Sequence, residues 1–261
     1  MTVFRARSAH LAAVLASLAA LLALGACTKP SRDLQPGSYR ATLEVPGGEL
    51  PFGLDVAREE QGLVLYLVNG EERVAVTGAK AEPGKVTAVL PGSKNNLSAT
   101  IAGGELRGQI SLDGTAGARK SLPFKATLGQ TWRFFEEPLT DNTDIAGRWA
   151  ITFTDDQGRT TPGLAELQQK FEHVTGTVRM AGGDHHFLTG EVHGDELRLS
   201  RFDGTVGYLY QAKVNARGEL EGECWSLPAT HQRFVAVRNP DAVLDPDPAA
   251  RALQDEAAIA P

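Results

Sequence analysis

The chain has 261 residues and a formal net charge of −6. This acidic balance argues against a surface for nucleic acid, and equally against a basic patch for anionic lipid headgroups. Glycine occurs 28 times, whereas aromatic residues make up only 7% of the chain. Because turn-forming residues are dense and long helical periodicity is rare, the composition is typical of an all-β protein.

Residues 1–26 have the pattern of a bacterial lipoprotein signal peptide. Arg5 and Arg7 precede an almost purely apolar run, Leu11–Leu24. That run has the length of a signal peptide's apolar region and is shorter than the roughly 20 residues of a membrane-spanning helix. The run ends in a lipobox, Leu24-Gly25-Ala26-Cys27. We therefore predict cleavage before Cys27 and a lipid on its thiol, which anchors the protein to a membrane without spanning it.

Three consequences follow from this signal peptide. Removal of Arg5 and Arg7 leaves a net charge of about −8. Thr28 follows the lipidated residue, where many lipoproteins of the Gram-negative inner membrane have Asp, so the periplasmic face of the outer membrane is favoured. Cys224 is left without a partner in the chain, and we predict a buried, inert thiol beside Trp225.

Residues 27–36 form the lipidated tether, and a first β-repeat extends over 37–135. Apolar residues alternate in Gly37–Val45 and again over 50–56, as in half-buried strands. An apolar run at 63–68 leads into Asn69-Gly70, which predicts a type I′ hairpin turn because both residues tolerate positive φ. Further strands are predicted at 71–77, 85–90, 96–102, 105–112 and 120–128, and Trp132-Arg133-Phe134 ends the repeat.

An acidic linker, 136–145, leads to a second β-repeat over 146–239. Gly147-Arg148-Trp149 repeats the pattern of Gly37-Ser38-Tyr39, in which a glycine stands two residues before an aromatic. Leu164, Leu167 and Phe171 have helical spacing, but the repeat predicts a strand there. Residues 240–261 are interpreted as a flexible tail or a short helix at 248–259. We predict two successive antiparallel β-meanders, each closing toward a lipocalin-like barrel or a sandwich. A single continuous sheet is the main alternative.

The second repeat also carries motifs that resemble a known module. They are Gly183-Asp184-His185-His186-Phe187-Leu188, Gly190-Glu191-Val192, Leu199-Ser200-Arg201-Phe202-Asp203-Gly204, Leu209-Tyr210 and Ala236-Val237-Arg238-Asn239. In this order they resemble the β-rich N-terminal module of TlpA-type, thioredoxin-like envelope lipoproteins, over most of residues 37–239. The resemblance implies a module next to the lipid anchor. In that family a thioredoxin-like domain follows, but this chain has only a short tail after Asn239 and no Cys-x-x-Cys, so no redox residue transfers to it.

Residues of catalytic or metal-binding type occur, but their patterns favour structural roles. Asp184, His185, His186 and His193 offer metal ligands, yet adjacent residues of a strand point to opposite faces. Asp155-Asp156 and Asp195-Glu196 stand next to turns, where carboxylates cap the backbone. We therefore predict no catalytic residue, metal or cofactor, and no enzyme activity.

Four aromatic residues are candidates for lining a ligand cavity, since an eight-stranded barrel holds at most one small ligand. They are Tyr39, Trp149, Tyr208 and Tyr210; the alternative is that they fill the core. Three hypotheses of function follow. The first is a non-enzymatic module that docks or scaffolds another envelope protein, such as a thioredoxin-like one. The second is a lipocalin-like carrier of a small apolar ligand, and the third is the remnant of a TlpA-type oxidoreductase without its redox domain.

Overall fold

The computed structural model of the chain describes residues 30–60, 62–91, 94–113, 119–180, 183–227 and 230–244. Every regular element in these residues is a β-strand, which confirms the predicted all-β fold. None of these residues forms a helix with the length and hydropathy to cross a membrane. The predicted signal peptide, the lipidation site Cys27 and the predicted helix at 248–259 lie outside the described residues.

The first sheet has nine antiparallel strands. They are β1 (Gly37–Val45), β2 (Gly48–Glu59), β3 (Gly62–Asn69), β4 (Glu72–Val76), β5 (Lys80–Glu82), β6 (Lys85–Val89), β7 (Asn96–Ala102), β8 (Glu105–Asp113) and β9 (Arg119–Leu128). Their order is β4-β3-β2-β1-β9-β8-β7-β6-β5, so the last strand pairs with the first. This leaves β4 and β5 at the two edges of an open sheet.

The second sheet is a closed barrel of eight antiparallel strands. They are β10 (Gly147–Asp155), β11 (Thr160–Lys170), β12 (His173–Met180), β13 (Gly183–His193), β14 (Glu196–Phe202), β15 (Gly207–Val214), β16 (Leu220–Ser226) and β17 (Thr230–Arg238). Each strand pairs with the next, and β17 pairs with β10. The prediction of two successive meanders is confirmed. The segment around Leu164 is the strand β11, as the repeat predicted.

Both sheets begin with the same local device. Gly37 and Gly147 have φ of 136° and 121°, a region that favours glycine. Two residues later, the Tyr39 hydroxyl donates to the Gln35 carbonyl at 2.8 Å, and the Trp149 indole N–H donates to the Ile145 carbonyl at 3.0 Å. Both rings are buried, and a buried Tyr or Trp needs a partner for its polar atom.

The turn predicted at Asn69-Gly70 is wrong by one residue. Asn69 pairs with Glu72 as part of the ladder, and the two turn residues are Gly70 and Glu71, with Gly70 at a φ of 59°. The reason is tertiary, because the Asn69 side chain is fully buried and bonds to Phe202 of the barrel. Trp132-Arg133-Phe134 also differs from expectation, since β9 ends at Leu128 and these residues belong to the connection between the sheets.

The two sheets share one of the two hydrophobic cores. The barrel has its own interior core around Trp149, whereas the core of the first sheet includes Phe202, Leu209 and Leu227 of the barrel. Phe202 projects outward from β14, and its ring centroid lies 4.9 Å from that of Phe52 on β2. The contact between the sheets is therefore apolar core and not a solvated seam.

Polar bonds complete this contact. The Asn69 amide donates to the Phe202 carbonyl at 2.9 Å, and its oxygen accepts from the Phe202 N–H at 3.0 Å. The Ser200 hydroxyl donates to the Pro51 carbonyl at 2.6 Å and accepts from the Arg133 guanidinium at 2.9 Å. Arg133 also donates to the Asn69 oxygen. The partners of these buried groups come from both sheets, so the groups are satisfied only when the sheets are together.

The Glu191 carboxylate fixes the connection. It accepts from the backbone N–H groups of Arg133, Phe134 and Phe135 at 3.0, 2.8 and 2.9 Å. Burial lowers the pKa of Arg133 to about 9, and the Glu191 charge opposes that shift, so Arg133 remains charged at neutral pH. The Glu191 carboxylate thus holds three consecutive backbone N–H groups in place, and with them the charged side chain of Arg133.

Replacing Asn69 with alanine should destabilise the whole unit. Asn69→Ala leaves the Phe202 backbone without its partner, and we expect a loss of about 3 kcal/mol in the free energy of unfolding. Urea denaturation followed by circular dichroism measures it. The control is Asn96→Ala, since the one side-chain bond of Asn96 to the described residues is a long one to the Lys94 carbonyl, at 3.4 Å. Equal stabilities of the two variants, or separate transitions of the two sheets in the wild type, would contradict a cooperative interface.

Candidate functional site

The interior of the barrel holds a cluster of polar side chains at the end where β13 begins, which we call the upper end. The cluster consists of His185, Tyr208, Tyr210 and Cys224. The ladder places Tyr210 opposite Leu199 on one side and Cys224 on the other, all on the inner face. His185 Nδ1 lies 2.6 Å from the Tyr210 hydroxyl, and the imidazole stacks on Tyr208 with 3.6 Å between centroids. Cys224 is the ladder partner of Tyr210 on the next strand, and the two side chains interact. The imidazole, the phenol and the thiol thus form a connected polar chain inside the barrel.

Burial keeps this chain neutral. It lowers the pKa of His185 to about 4, helped by the charge of Arg201. It raises the pKa of the Cys224 thiol to about 12, and it raises the pKa of Tyr210 well above its usual value. A thiol acts as a nucleophile only as the thiolate. The cluster therefore holds a neutral imidazole and a protonated thiol at neutral pH.

An ion-pair group lies above the cluster. Arg201 Nε donates to the Glu72 carboxylate at 2.9 Å, and Arg201 Nη2 lies 3.0 Å from Asp203 Oδ2. Glu72 belongs to the first sheet, so this pair is another bond between the sheets. All three side chains are largely buried, and buried charges of this kind need their partners.

The structure brings only part of the predicted cavity set together. Tyr208 and Tyr210 meet in the cluster, and Trp149 packs lower in the same barrel core. Tyr39 packs in the core of the first sheet instead. Side chains such as Phe153, Leu188 and Phe234 occupy the barrel interior between these aromatics. All four residues therefore have core contacts.

The histidines separate as the strand geometry requires. His185 points into the barrel and is buried, whereas His186 is exposed. His193 lies at the far end of β13, stacked on Phe135 with 4.5 Å between centroids. Within the described ranges, no group of three or more His, Cys, Asp or Glu side chains is arranged to hold a metal ion. Asp155 accepts the backbone N–H groups of Gln157 and Arg159 in its turn.

A groove that the sequence did not indicate lies at the opposite end of the barrel, beside the β11–β12 turn and the end of β13. This base groove consists of two adjoining clefts of about 270 and 490 Å³, which share Pro138 and Glu172. The smaller cleft is lined by Trp132, Phe135, Glu136, His173 and His193, among others. The larger one is lined by Leu139, Asp144 and Phe171, among others. The connection between the sheets forms one wall and the β11–β12 hairpin the other.

Phe171 is the unusual residue of this groove. It is the first turn residue between the paired Lys170 and His173, with a φ of 58°, and its side chain is 78% exposed. Glycine normally takes such a position, because a side chain in the left-handed region costs about 1–2 kcal/mol. A large apolar side chain is thus held in water on a strained backbone, a combination that is typical of functional sites. The helical spacing that includes Phe171 concealed this in the sequence.

The base groove is acidic. Glu136, Glu172 and Asp144 line it, and neither Lys nor Arg is among the described residues of its two clefts. The Trp132 ring already lies under the Arg40 guanidinium at 3.8 Å, and the Phe135 ring stacks on His193 with Arg198 5.2 Å from its centroid. The carboxylates, and not these rings, therefore attract a further cation, so the groove suits a basic side chain next to an apolar one.

Comparison with known proteins gives no family. No family model and no curated protein matches the chain. The solved structures that it resembles include a protein of unknown function of the DUF3598 family from Nostoc punctiforme, with 14% identity over 77% of this chain and 94% of that one, at a TM-score of 0.27. They also include a candidate AttH from Nitrosomonas europaea, with 10% identity over 77% and 90%, at 0.18. At these TM-scores neither likeness supports an inference about this chain.

The buried histidine should make the fold sensitive to acid. In the unfolded chain an imidazole is protonated below a pH of about 6.5, but folded His185 stays neutral down to about pH 4. The unfolded state therefore binds the extra proton first, and up to about 3 kcal/mol of stability is lost as the pH falls between these values. Urea unfolding at pH 7 and pH 4.5 measures the loss. His185→Gln should lose less stability between pH 7 and pH 4.5 than the wild type. His186→Gln, at the exposed neighbour, should lose as much as the wild type. Equal losses in all three proteins would refute the role of His185.

Relief of the strained turn should stabilise the protein. Phe171→Gly removes an exposed side chain from a left-handed position, and we expect a gain of about 1 kcal/mol in the free energy of unfolding. Thermal denaturation of the two proteins tests this. The matched control is Glu172→Gly, at the second turn residue, which is not at positive φ and should lose stability. A loss in both variants would show that Phe171 carries no strain.

Proposed function

We propose that this protein is a non-enzymatic, lipid-anchored module of the bacterial envelope that docks another envelope protein in the base groove. The observation that supports this most is Phe171, an apolar side chain exposed on a backbone that resists it. Exposed apolar groups with a polar rim are typical of interaction sites. The cost of the strained turn is explained if selection keeps the ring there for a partner.

The chemistry of the groove defines the partner. Phe171 and Leu139 offer apolar contact, whereas Glu136 and Glu172 offer negative charge next to Trp132. The matching segment carries an apolar side chain flanked by Lys or Arg. Aromatic anchors supply most of the affinity of such contacts, and rim charges add specificity and speed of association.

The anchor fits the same role. A lipid on Cys27 would hold the module at the periplasmic face of a membrane, with the outer membrane favoured. Confinement raises the effective concentration of a partner on the same membrane, so a groove of modest affinity suffices. The resemblance to TlpA-type modules makes a separate thioredoxin-like protein a candidate partner, and a remnant of such a protein would keep this function.

Catalysis and apolar transport have less support. The His185–Tyr210–Cys224 chain holds neutral groups below an ion-paired mouth, and no activated nucleophile is among them. A lipocalin-like carrier needs an open interior, whereas the described interior around Trp149 and Phe153 is filled by side chains. We therefore advance docking over both.

Site-specific photocrosslinking in native membranes tests the proposal. Full-length lipidated protein carries p-benzoylphenylalanine in place of Phe171, or in place of Val89, a 65% exposed residue of β6. We expect one discrete adduct from position 171 and not from position 89. Mass spectrometry of the adduct should place the crosslink in a segment with Lys or Arg beside an apolar residue.

A charge-reversal pair provides the control. Glu136→Lys with Glu172→Lys should lower the yield at position 171 by roughly fivefold or more, since two ion pairs are lost. Glu60→Lys with Glu82→Lys changes the net charge equally at exposed sites of the first sheet and should leave the yield unchanged. No adduct, the same adducts from both positions, or an acidic crosslinked segment would overturn the docking proposal.

A further inference from the structure

A second cleft, separate from the base groove, lies between the two sheets. Its volume is about 490 Å³, within the roughly 300–1,000 Å³ of small-molecule sites. The turn Asn69–Glu71 of the first sheet forms one side, and the outer face of β11 and β12 forms the floor. Phe187 of β13 stands at the remaining side. We call it the inter-sheet cleft.

The floor of this cleft is a patch of polar side chains in register. Glu166 is opposite Thr177 and Gln168 is opposite Thr175 on the two strands, so two hydroxyls, an amide and a carboxylate form a square on the barrel wall. Two of the four, Gln168 and Thr175, are exposed. Such a surface offers donors and acceptors at neighbouring positions, as a ligand with several hydroxyl groups requires.

The Phe187 ring stands over this patch because of a β-bulge. The pairing of β12 with β13 shifts between Gly176 and Val178, so the extra residue of β13 turns outward. Phe187 has a φ of 54° and is 48% exposed. Bulges re-aim side chains at functional sites. Arg201 lies 5.8 Å from the ring centroid, and its pair with Glu72 holds that cation in place.

The turn of the first sheet lies close to the barrel wall of the cleft. Gly70 has a φ of 59°, and a Cβ there would lie 3.6 Å from the Thr189 side chain and 3.9 Å from that of Thr175. The neighbouring Asn69 is fixed by its bonds to Phe202. The walls of the cleft are therefore preorganised, which lowers the entropic cost of binding.

The charges of the cleft select the ligand class. Its described lining has no Lys or Arg, and the three guanidiniums that border it, those of Arg148, Arg179 and Arg201, are already paired with carboxylates. Both facts disfavour phosphates and carboxylates as ligands. The described lining has two carboxylates. Glu166 is paired with Arg148 and Arg179 at 2.6 and 2.5 Å, and Glu71 is exposed at the turn, where water and salt screen its attraction for a cation. The cleft therefore suits a neutral ligand that has many hydroxyl groups and one flat apolar face. That face can pack on an aromatic ring while its hydroxyls bond to amides and carboxylates.

We propose that the inter-sheet cleft binds a neutral saccharide, with Phe187 as the stacking platform and Gln168, Thr175 and Thr177 as hydrogen-bonding partners. This site is independent of the base groove and of a docked protein. It gives the module a second recognition function, toward a glycan.

Calorimetric titration of the full-length protein in detergent tests the site with three probes, maltose, cellobiose and N,N′-diacetylchitobiose. We expect at least one disaccharide to bind with one site per chain. Phe187→Ala should weaken its binding roughly tenfold, because a stacking contact is lost. Gln168→Ala should weaken it roughly fivefold through a lost hydrogen bond.

Two further variants separate binding from folding. Phe187→Gly removes the ring and also the side chain at positive φ, so it should fold well and still lose binding. Phe171→Ala, which removes an exposed aromatic ring from the base groove, should bind the disaccharide as the wild type does. Failure of all three disaccharides to bind, or binding that persists in Phe187→Ala and Phe187→Gly, would overturn the assignment whatever the photocrosslinking result.

Discussion

The Arg133 guanidinium is the point on which the arrangement of the two sheets depends. It donates to Ser200 of the barrel and to Asn69 of the first sheet, while its own backbone is held by Glu191. A charge removed from water must keep its partners, since an unpaired one costs several kcal/mol. The partners of Arg133 come from three parts of the chain, so satisfying this one cation fixes the sheets and their connection together.

This constraint places both surface sites. The connection that Glu191 orders becomes a wall of the base groove, with Trp132 and Phe135 on it. Asn69, held against the barrel, sets the turn that borders the inter-sheet cleft. Each surface joins the barrel to another part of the chain, the connection in the base groove and the first sheet in the inter-sheet cleft. The two proposed recognition sites therefore lie outside the barrel, whose described interior is filled by apolar side chains and a neutral polar cluster.

The sequence predicted what short-range periodicity controls and missed what tertiary contact controls. Alternation at Gly37–Val45 and the repeated glycine–aromatic pattern at Gly147 were enough for two antiparallel meanders, because the side-chain period of a strand is local. The shift of the turn at Asn69 was beyond such reasoning, since a buried bond to a residue more than a hundred positions away decided it. Tertiary contacts also decide the two surface sites, the base groove and the inter-sheet cleft. The exposure of Phe171 and Phe187 depends on a turn and a bulge that other residues impose, and no local pattern marks either ring as exposed.

The open first sheet has consequences that the closed barrel escapes. Its edge strands, β4 and β5, present backbone groups that another chain could use to extend the sheet, a frequent route to aggregation. Both edges are short, and β5 is a three-residue strand with charged Lys80 and Glu82 at its ends. Arg73 on β4 stacks over the Tyr66 ring and pairs with Asp55. Short, charged edges discourage a second copy from adding its strands, so copies that the proposed lipid anchor would crowd together should stay separate.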